Sequence, residues 1–161
     1  MNSFVFQNST KVYFGNDSVS TYLPGLLAQY GPKVMLTYGG GSIKKTGIYE
    51  EIMGYLKTAG KTVVEFSGIR SNPTYAKVLE GAALAKKEKV DLILAVGGGS
   101  VMDCSKAISL GAVYDGDLWD AYWPMLVRSK QNPFPLALSL PYRERGVKRT
   151  AAASLQTNPS K

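Results

Sequence analysis

Histidine is absent from this 161-residue chain. Imidazole is the usual general base near neutral pH and a common ligand of catalytic metals, so any chemistry here proceeds without it. Cysteine is nearly absent. Cys104 alone excludes an internal disulfide and fits a reducing compartment, so a cytoplasmic location is expected. Its segment has a helical pattern, which predicts a buried structural thiol rather than a nucleophile. No apolar run approaches the ~20 residues that span a bilayer. Met1-Asn2-Ser3-Phe4 lacks the basic start and apolar stretch of a signal peptide. What remains, 45% hydrophobic residues, suffices for one globular domain with a core.

Acidic residues are scarce at one end. Residues 1–127 hold 12 Lys/Arg and 11 Asp/Glu, whereas residues 128–161 hold seven bases and only Glu144. The net charge of +7 therefore belongs to a basic tail on a near-neutral body. Such a tail is compatible with nucleic-acid binding or with unselected sequence.

Glycine is plentiful and placed with a pattern. Gly39-Gly40-Gly41-Ser42 follows Val34-Met35-Leu36-Thr37-Tyr38, and Gly97-Gly98-Gly99-Ser100 follows Leu92-Ile93-Leu94-Ala95-Val96. A strand ending in glycines and entering a helix lets the backbone approach a ligand closely. Its free N–H groups and the helix N-terminus then suit an anion, above all a phosphate. Two such turns suggest two contacts on one nucleotide. The plainer alternative is a pair of tight strand-to-helix turns.

Around these turns, strand-like and helix-like segments alternate. Phe4-Val5-Phe6 and Val12-Tyr13-Phe14 predict an N-terminal hairpin or edge pair. A helix is expected from Asp17 or Ser18 to about Tyr30, ending at Gly31-Pro32. Ile48, Ile52, Met53 and Leu56 share a helical face that Gly60 stops. Strands are expected at 33–38, 62–66, 91–96 and 135–140, and helices at about 75–88 and 101–111. Ser71-Asn72-Pro73-Thr74 predicts a turn. This order predicts an α/β fold, a parallel sheet flanked by helices of the Rossmann-like dinucleotide-binding kind, with an N-terminal hairpin. Ligands of such sheets bind beyond the carboxyl ends of the strands, where both glycine turns fall.

The strings Tyr38-Gly39-Gly40-Gly41-Ser42-Ile43-Lys44-Lys45-Thr46-Gly47, Ser71-Asn72-Pro73 and Gly97-Gly98-Gly99-Ser100-Val101-Met102-Asp103-Cys104-Ser105-Lys106 act as a set. With Val12-Tyr13-Phe14-Gly15 and Trp119-Asp120, they make the chain resemble the iron-containing (group III) alcohol dehydrogenases, of the butanol dehydrogenase type. The resemblance runs from residue 1 to about Pro141. It implies an oxidoreductase that uses NAD or NADP and a divalent metal, iron or zinc, to interconvert alcohols and aldehydes, and a homo-oligomer at full length. It places Gly98, Gly99 and Ser100 on the pyrophosphate, with Asp103 in the same turn. Asn72 and Pro73 fall near the adenosine, and Gly40, Gly41 and Ser42 near its ribose. The family's metal is held by one Asp and three His of a C-terminal helical domain, which has no counterpart in a chain without histidine.

Cofactor choice is expected to be set at the first turn. NAD sites usually place a carboxylate on the ribose 2′-OH. None follows Leu36-Thr37-Tyr38, where Ser42, Lys44 and Lys45 stand instead, which favours NADP over NAD; the plainer alternative for the lysines is an ordinary solvated helix start.

After Pro141 the resemblance ends. Family members continue there with a string close to A-T-G-S-E-M-N-G-S-S-V-I-T-N. The codons of residues 142–157, read from their third bases, allow Pro, Arg or Gly, then Thr-Gly-Ser-Glu, Thr or Ala, and Asn-Gly-Ser-Ser-Val-Ile-Thr-Asn. This implies a frameshift at or just before 141. The expected organisation is a dinucleotide-binding domain at 1–141 and a non-native, loose basic tail at 142–161. The expected function is the cofactor-binding half of an alcohol dehydrogenase, inactive alone, with no catalytic or metal residues of its own. The alternatives are a non-enzymatic nucleotide or nucleic-acid binding module with a functional tail, and a phosphosugar-binding domain.

Overall fold

A computed structural model describes residues 10–119, 136–142 and 150–156, the last two segments as backbone only. The elements are β1 (Thr10–Tyr13), α1 (Ser18–Leu27), β2 (Lys33–Tyr38), α2 (Ser42–Lys45), α3 (Ile48–Thr58) and β3 (Thr62–Phe66). They continue with α4 (Tyr75–Glu88), β4 (Leu92–Val96), α5 (Gly99–Gly111), β5 (Leu136–Tyr142) and β6 (Thr150–Gln156). One sheet runs in the order β1-β6-β5-β4-β2-β3. Its β3, β2, β4 and β5 are mutually parallel, and β6 is antiparallel to both its neighbours.

The period of two along the central strands decides which helices cover which face. Val34, Leu36 and Tyr38 of β2, with Leu92, Leu94 and Val96 of β4, pack against Leu23, Leu26 and Leu27 of α1 and Ile52 and Leu56 of α3. Met35, Ile93 and Ala95 face the other way, onto Val78 and Ala85 of α4 and Cys104 and Ile108 of α5. Both strands are buried on both faces, so they are continuous apolar runs in the sequence. The expected α/β architecture with a parallel sheet between helices is therefore what the chain adopts.

Several elements differ from the sequence expectation. Helix α1 stops at Leu27 rather than Tyr30, and its last carbonyls are taken up by a turn, with Gln29 and Tyr30 N–H donating to Leu26 and Leu27. The expected hairpin partner Phe4-Val5-Phe6 lies outside the described residues. Its other half becomes β1, which pairs with β6. The loose tail expected from residue 142 does not hold for residues 150–156, which form β6 between β1 and β5. Ala151, Ala152, Ala153 and Ser154 give no apolar alternation to read. Backbone pairing with two strands makes this element.

Candidate functional site

The parallel pairing of β2 and β4 brings the two glycine turns together. Tyr38 and Val96 are register partners, so Gly39 and Gly97 leave the same edge of the sheet from neighbouring strands. The loop carrying Asn72 and Pro73 leaves that edge from β3. Asn72 has a positive φ of 53°, a conformation asparagine tolerates better than most residues. Thr74 then caps α4, its side chain accepting from Lys77 N–H at 3.3 Å.

A buried polar contact ties the two turns into one unit. The Thr37 and Ser105 hydroxyls lie 2.7 Å apart, and Ser105 donates onward to the Val101 carbonyl at 2.7 Å. This links the end of β2 to the first turns of α5 with both hydroxyls satisfied, so their burial carries little penalty.

The glycines fall into two kinds. A Cβ on Gly97 would lie 2.6 Å from Val101 Cγ2, and one on Gly39 would lie 3.1 Å from the Ile69 carbonyl oxygen. Packing within the chain therefore explains these two. A Cβ on Gly40, Gly41, Gly98 or Gly99 would meet nothing within 4 Å. None of the four has a positive φ. Neither backbone conformation nor internal packing calls for glycine there, and all four are exposed. They border open space that a side chain would fill.

Helix α5 starts in that space. Gly98 precedes it in an extended conformation, without a side-chain cap and without an acidic residue in the first turn. Its N-terminal N–H groups and dipole favour an anion by ~0.3–2 kcal/mol. Ser100 is half-buried beside them. Asp103 is exposed and pairs with Lys106 at 3.7 Å on the helix surface. Cys104 is buried against the sheet, and desolvation pushes its thiol up to about 11. It is a packing residue, as the sequence predicts.

Sequence reasoning missed one residue at the first turn. Glu65, at the end of β3, accepts from the Tyr38 hydroxyl at 2.6 Å and the Tyr49 hydroxyl at 2.7 Å. The Lys44 ammonium lies 3.9 Å from it, 4.5 Å above the Tyr49 ring and 5.5 Å from the Tyr38 ring centre. The two hydroxyl donors, with Lys44 behind them, hold the Glu65 carboxyl below the usual carboxylate range. The same hydrogen bond pushes the Tyr49 phenol up to about 12. Spacing alone offers an acidic residue 23 positions past Ser42; the parallel pairing of β3 with β2 is what brings it to the first turn. The expectation that no carboxylate follows the first turn looked only along β2; its neighbour β3 places Glu65 beside Tyr38 and Lys44.

Other candidate groups are accounted for locally. Asp115 pairs with Lys86 at 2.8 Å, and Asp117 accepts from the Tyr75 hydroxyl and the Trp119 N–H. Asp120 lies outside the described residues. Among the described residues no three His, Cys, Asp or Glu side chains gather as a metal site, and no helix is long and apolar enough to cross a membrane.

Strand order, sheet edge and paired turns define the class: a Rossmann-like α/β domain. The chain belongs to the iron-containing alcohol dehydrogenase family, whose pattern it matches over residues 9–141. It is 47% identical over 133 residues to the "Probable NADH-dependent butanol dehydrogenase 1" of Bacillus subtilis, covering 83% of this chain and 33% of that protein. Over 116 residues it is 40% identical to the NADPH-dependent aldehyde reductase YqhD of Escherichia coli, covering 71% of this chain and 28% of that protein. The crystal structure of NADH-dependent butanol dehydrogenase A from Thermotoga maritima superposes with a TM-score of 0.74 at 43% identity, covering 84% of this chain and 34% of that one. The chain thus spans about a third of the length of these relatives.

Proposed function

We propose that this chain is the dinucleotide-binding part of a metal-dependent alcohol dehydrogenase of the butanol dehydrogenase type. Its complete counterpart would pass hydride between a small primary alcohol or aldehyde and NAD(H) or NADP(H), in the cytoplasm. The observation that carries this is the open space at Gly40, Gly41, Gly98 and Gly99, which no internal contact explains. Relatives whose names specify NADH or NADPH support a nicotinamide dinucleotide.

In this proposal the pyrophosphate lies against Gly98, Gly99 and Ser100, where the start of α5 offers N–H donors and no Cβ intervenes. The adenosine ribose lies by Gly40, Gly41 and Ser42, and the adenosine near Asn72 and Pro73. The nicotinamide supplies hydride transfer when bound. The residues of this chain hold and orient the cofactor by its adenosine and pyrophosphate. Asp103 stands on the helix surface with Lys106, so its part is limited to the charge it sets near the turn.

Among the described residues no donor set fits a metal. The sequence contains no histidine, and a catalytic metal needs about three protein ligands and an open position. No step is assigned to a metal within this chain. The chain alone should bind cofactor without turnover.

The family match ends at residue 141, which supports a domain boundary and a change of reading frame there. The shifted frame gives Ser-Ser-Val-Ile-Thr across the codons that carry β6, a run of β-formers in place of Ala151-Ala152-Ala153. DNA sequence across codons 135–157 tests this, and an intact frame at the genomic locus refutes it. The nucleic-acid alternative gains no observation of its own: the seven bases of residues 128–161 lie outside the described residues.

Calorimetric titration of the folded 161-residue chain with NADH and NADPH tests the binding claim. One of them should bind, and Gly99→Ala should weaken it while leaving thermal stability unchanged. No binding of either by folded chain would refute the proposal.

A further inference from the structure

The cluster at the first glycine turn bears on a choice the proposed function leaves open, and the inference rests on that proposal. Glu65 stands opposite Leu36 in the β2–β3 register. Its side chain lies on the face that carries Tyr38. Two tyrosine hydroxyls fix the carboxylate, one on each oxygen, at 2.6 and 2.7 Å. A carboxylate held this way stays charged and does not swing away. Lys44 is held in turn by three neighbours: this carboxylate at 3.9 Å and the faces of Tyr49 and Tyr38. Tyr38 is buried and meets Tyr49 edge to face at 5.9 Å, so the platform under the ammonium is rigid.

The consequence is electrostatic. Lys44, alone beside the turn, would offer a positive charge to a ribose 2′-phosphate. Paired with Glu65 it offers a neutral pair, and an approaching phosphate also meets a fixed negative charge. A 2′-hydroxyl meets neither cost. We propose that Glu65 is a specificity-determining residue of the adenosine subsite, withholding Lys44 from a 2′-phosphate and so favouring NAD over NADP. Tyr38 and Tyr49 are positioning residues, acting through the carboxylate. This replaces the expectation of NADP, which counted the lysines without their partner.

The test compares AMP with adenosine 2′,5′-bisphosphate, two probes that differ only at the 2′ position, by calorimetry on the 161-residue chain. The ratio of their affinities is the readout, because loss of structure lowers both and leaves the ratio alone. Glu65→Gln keeps the shape and removes the charge. It should shift the ratio toward the 2′-phosphate about two- to fivefold, the scale of one partly exposed charge pair. Glu65→Asp, which keeps the charge, should leave the ratio near that of the unsubstituted chain. Lys44→Gln should shift it the other way, and Glu65→Gln should have a smaller effect in that background. An unchanged ratio in both single variants, with both probes still bound, overturns the proposal and spares the dinucleotide site. Failure of the unsubstituted folded chain to bind either probe overturns both. If Glu65→Gln does not fold, the unsubstituted chain decides: tighter binding of adenosine 2′,5′-bisphosphate than of AMP overturns the proposal.

Discussion

The two glycine turns share a motif and an edge of the sheet, yet they are built differently. The second opens α5, an uncapped helix of 13 residues with no acidic residue in its first turn. The first opens α2, four residues long, and is ringed by Glu65, Tyr38, Tyr49 and Lys44. One presents N–H groups and a helix dipole, which suit a diphosphate whatever is attached to it. The other presents a fixed pattern of charge and hydroxyls, which suits discrimination. Under the proposed function, similar strings would serve grip at one strand end and choice at the next. The role of each string is set by its surroundings, a long helix in one case and a side-chain cluster from an adjacent strand in the other.

Breaking the grip should have the largest effect. Gly99→Val puts a branched side chain into the open space ahead of α5, where even a Cβ meets no neighbour. Affinity for NADH or NADPH should fall at least about tenfold, ~1.4 kcal/mol, with the thermal midpoint nearly unchanged. Retained affinity would move the pyrophosphate elsewhere.

Gly97→Ala separates folding from binding in the same turn. Its Cβ would stand 2.6 Å from Val101 Cγ2, and Val101 is buried and stiff about its own Cβ. A loss of about 1–3 kcal/mol in stability is expected, the usual cost of overpacking, measurable by urea denaturation. A neutral substitution would show that the turn relaxes freely.

Catalysis should be absent from the chain by itself. Neither Fe²⁺ nor Zn²⁺ should elicit NADPH or NADH oxidation with butanal as acceptor, assayed spectrophotometrically. Restoring the frame near residue 141 and appending the missing part should bring metal binding and activity back together. Turnover by the 161 residues would mean that a metal site assembles without histidine.

The smallest effect sharpens the first turn. The Tyr49 phenol is raised from 10 to about 12, chiefly by its hydrogen bond to Glu65. A raised value means that the protonated phenol is stabilised by folding. That contribution is whole below the unfolded value near 10 and is lost as pH rises through about 12. The Glu65 carboxyl is lowered, so its contribution is whole above the ordinary carboxylate value near 4.5 and fades as pH falls below it. Ultraviolet titration of Glu65→Gln against Tyr49→Phe should show one phenol returning toward 10. No change would uncouple Tyr49 from Glu65.

Much of this was legible in the sequence. Strands β2 and β4 are buried on both faces, so their apolar runs mark them, and the glycines after them mark the edge where both strands end. Glu65 was not legible in the same way, because its meaning depends on β3 lying beside β2, a fact of sheet order rather than of spacing along one strand. Strand β6 was missed because alanines give no alternation, and ladder hydrogen bonds do not depend on side-chain pattern. Which glycines pack within the chain and which border open space also needed coordinates: Gly97 and Gly99 are alike as letters and differ in whether Val101 stands in the way.

The central claim is that both turns hold one dinucleotide. Its most direct test is an NMR titration of isotope-labelled 161-residue chain with NADH, following the backbone amides of Gly40, Gly41, Gly98 and Gly99. All four resonances should move along one binding curve, saturating together at one equivalent. Movement at one turn alone, or two curves with different midpoints, would contradict the shared site.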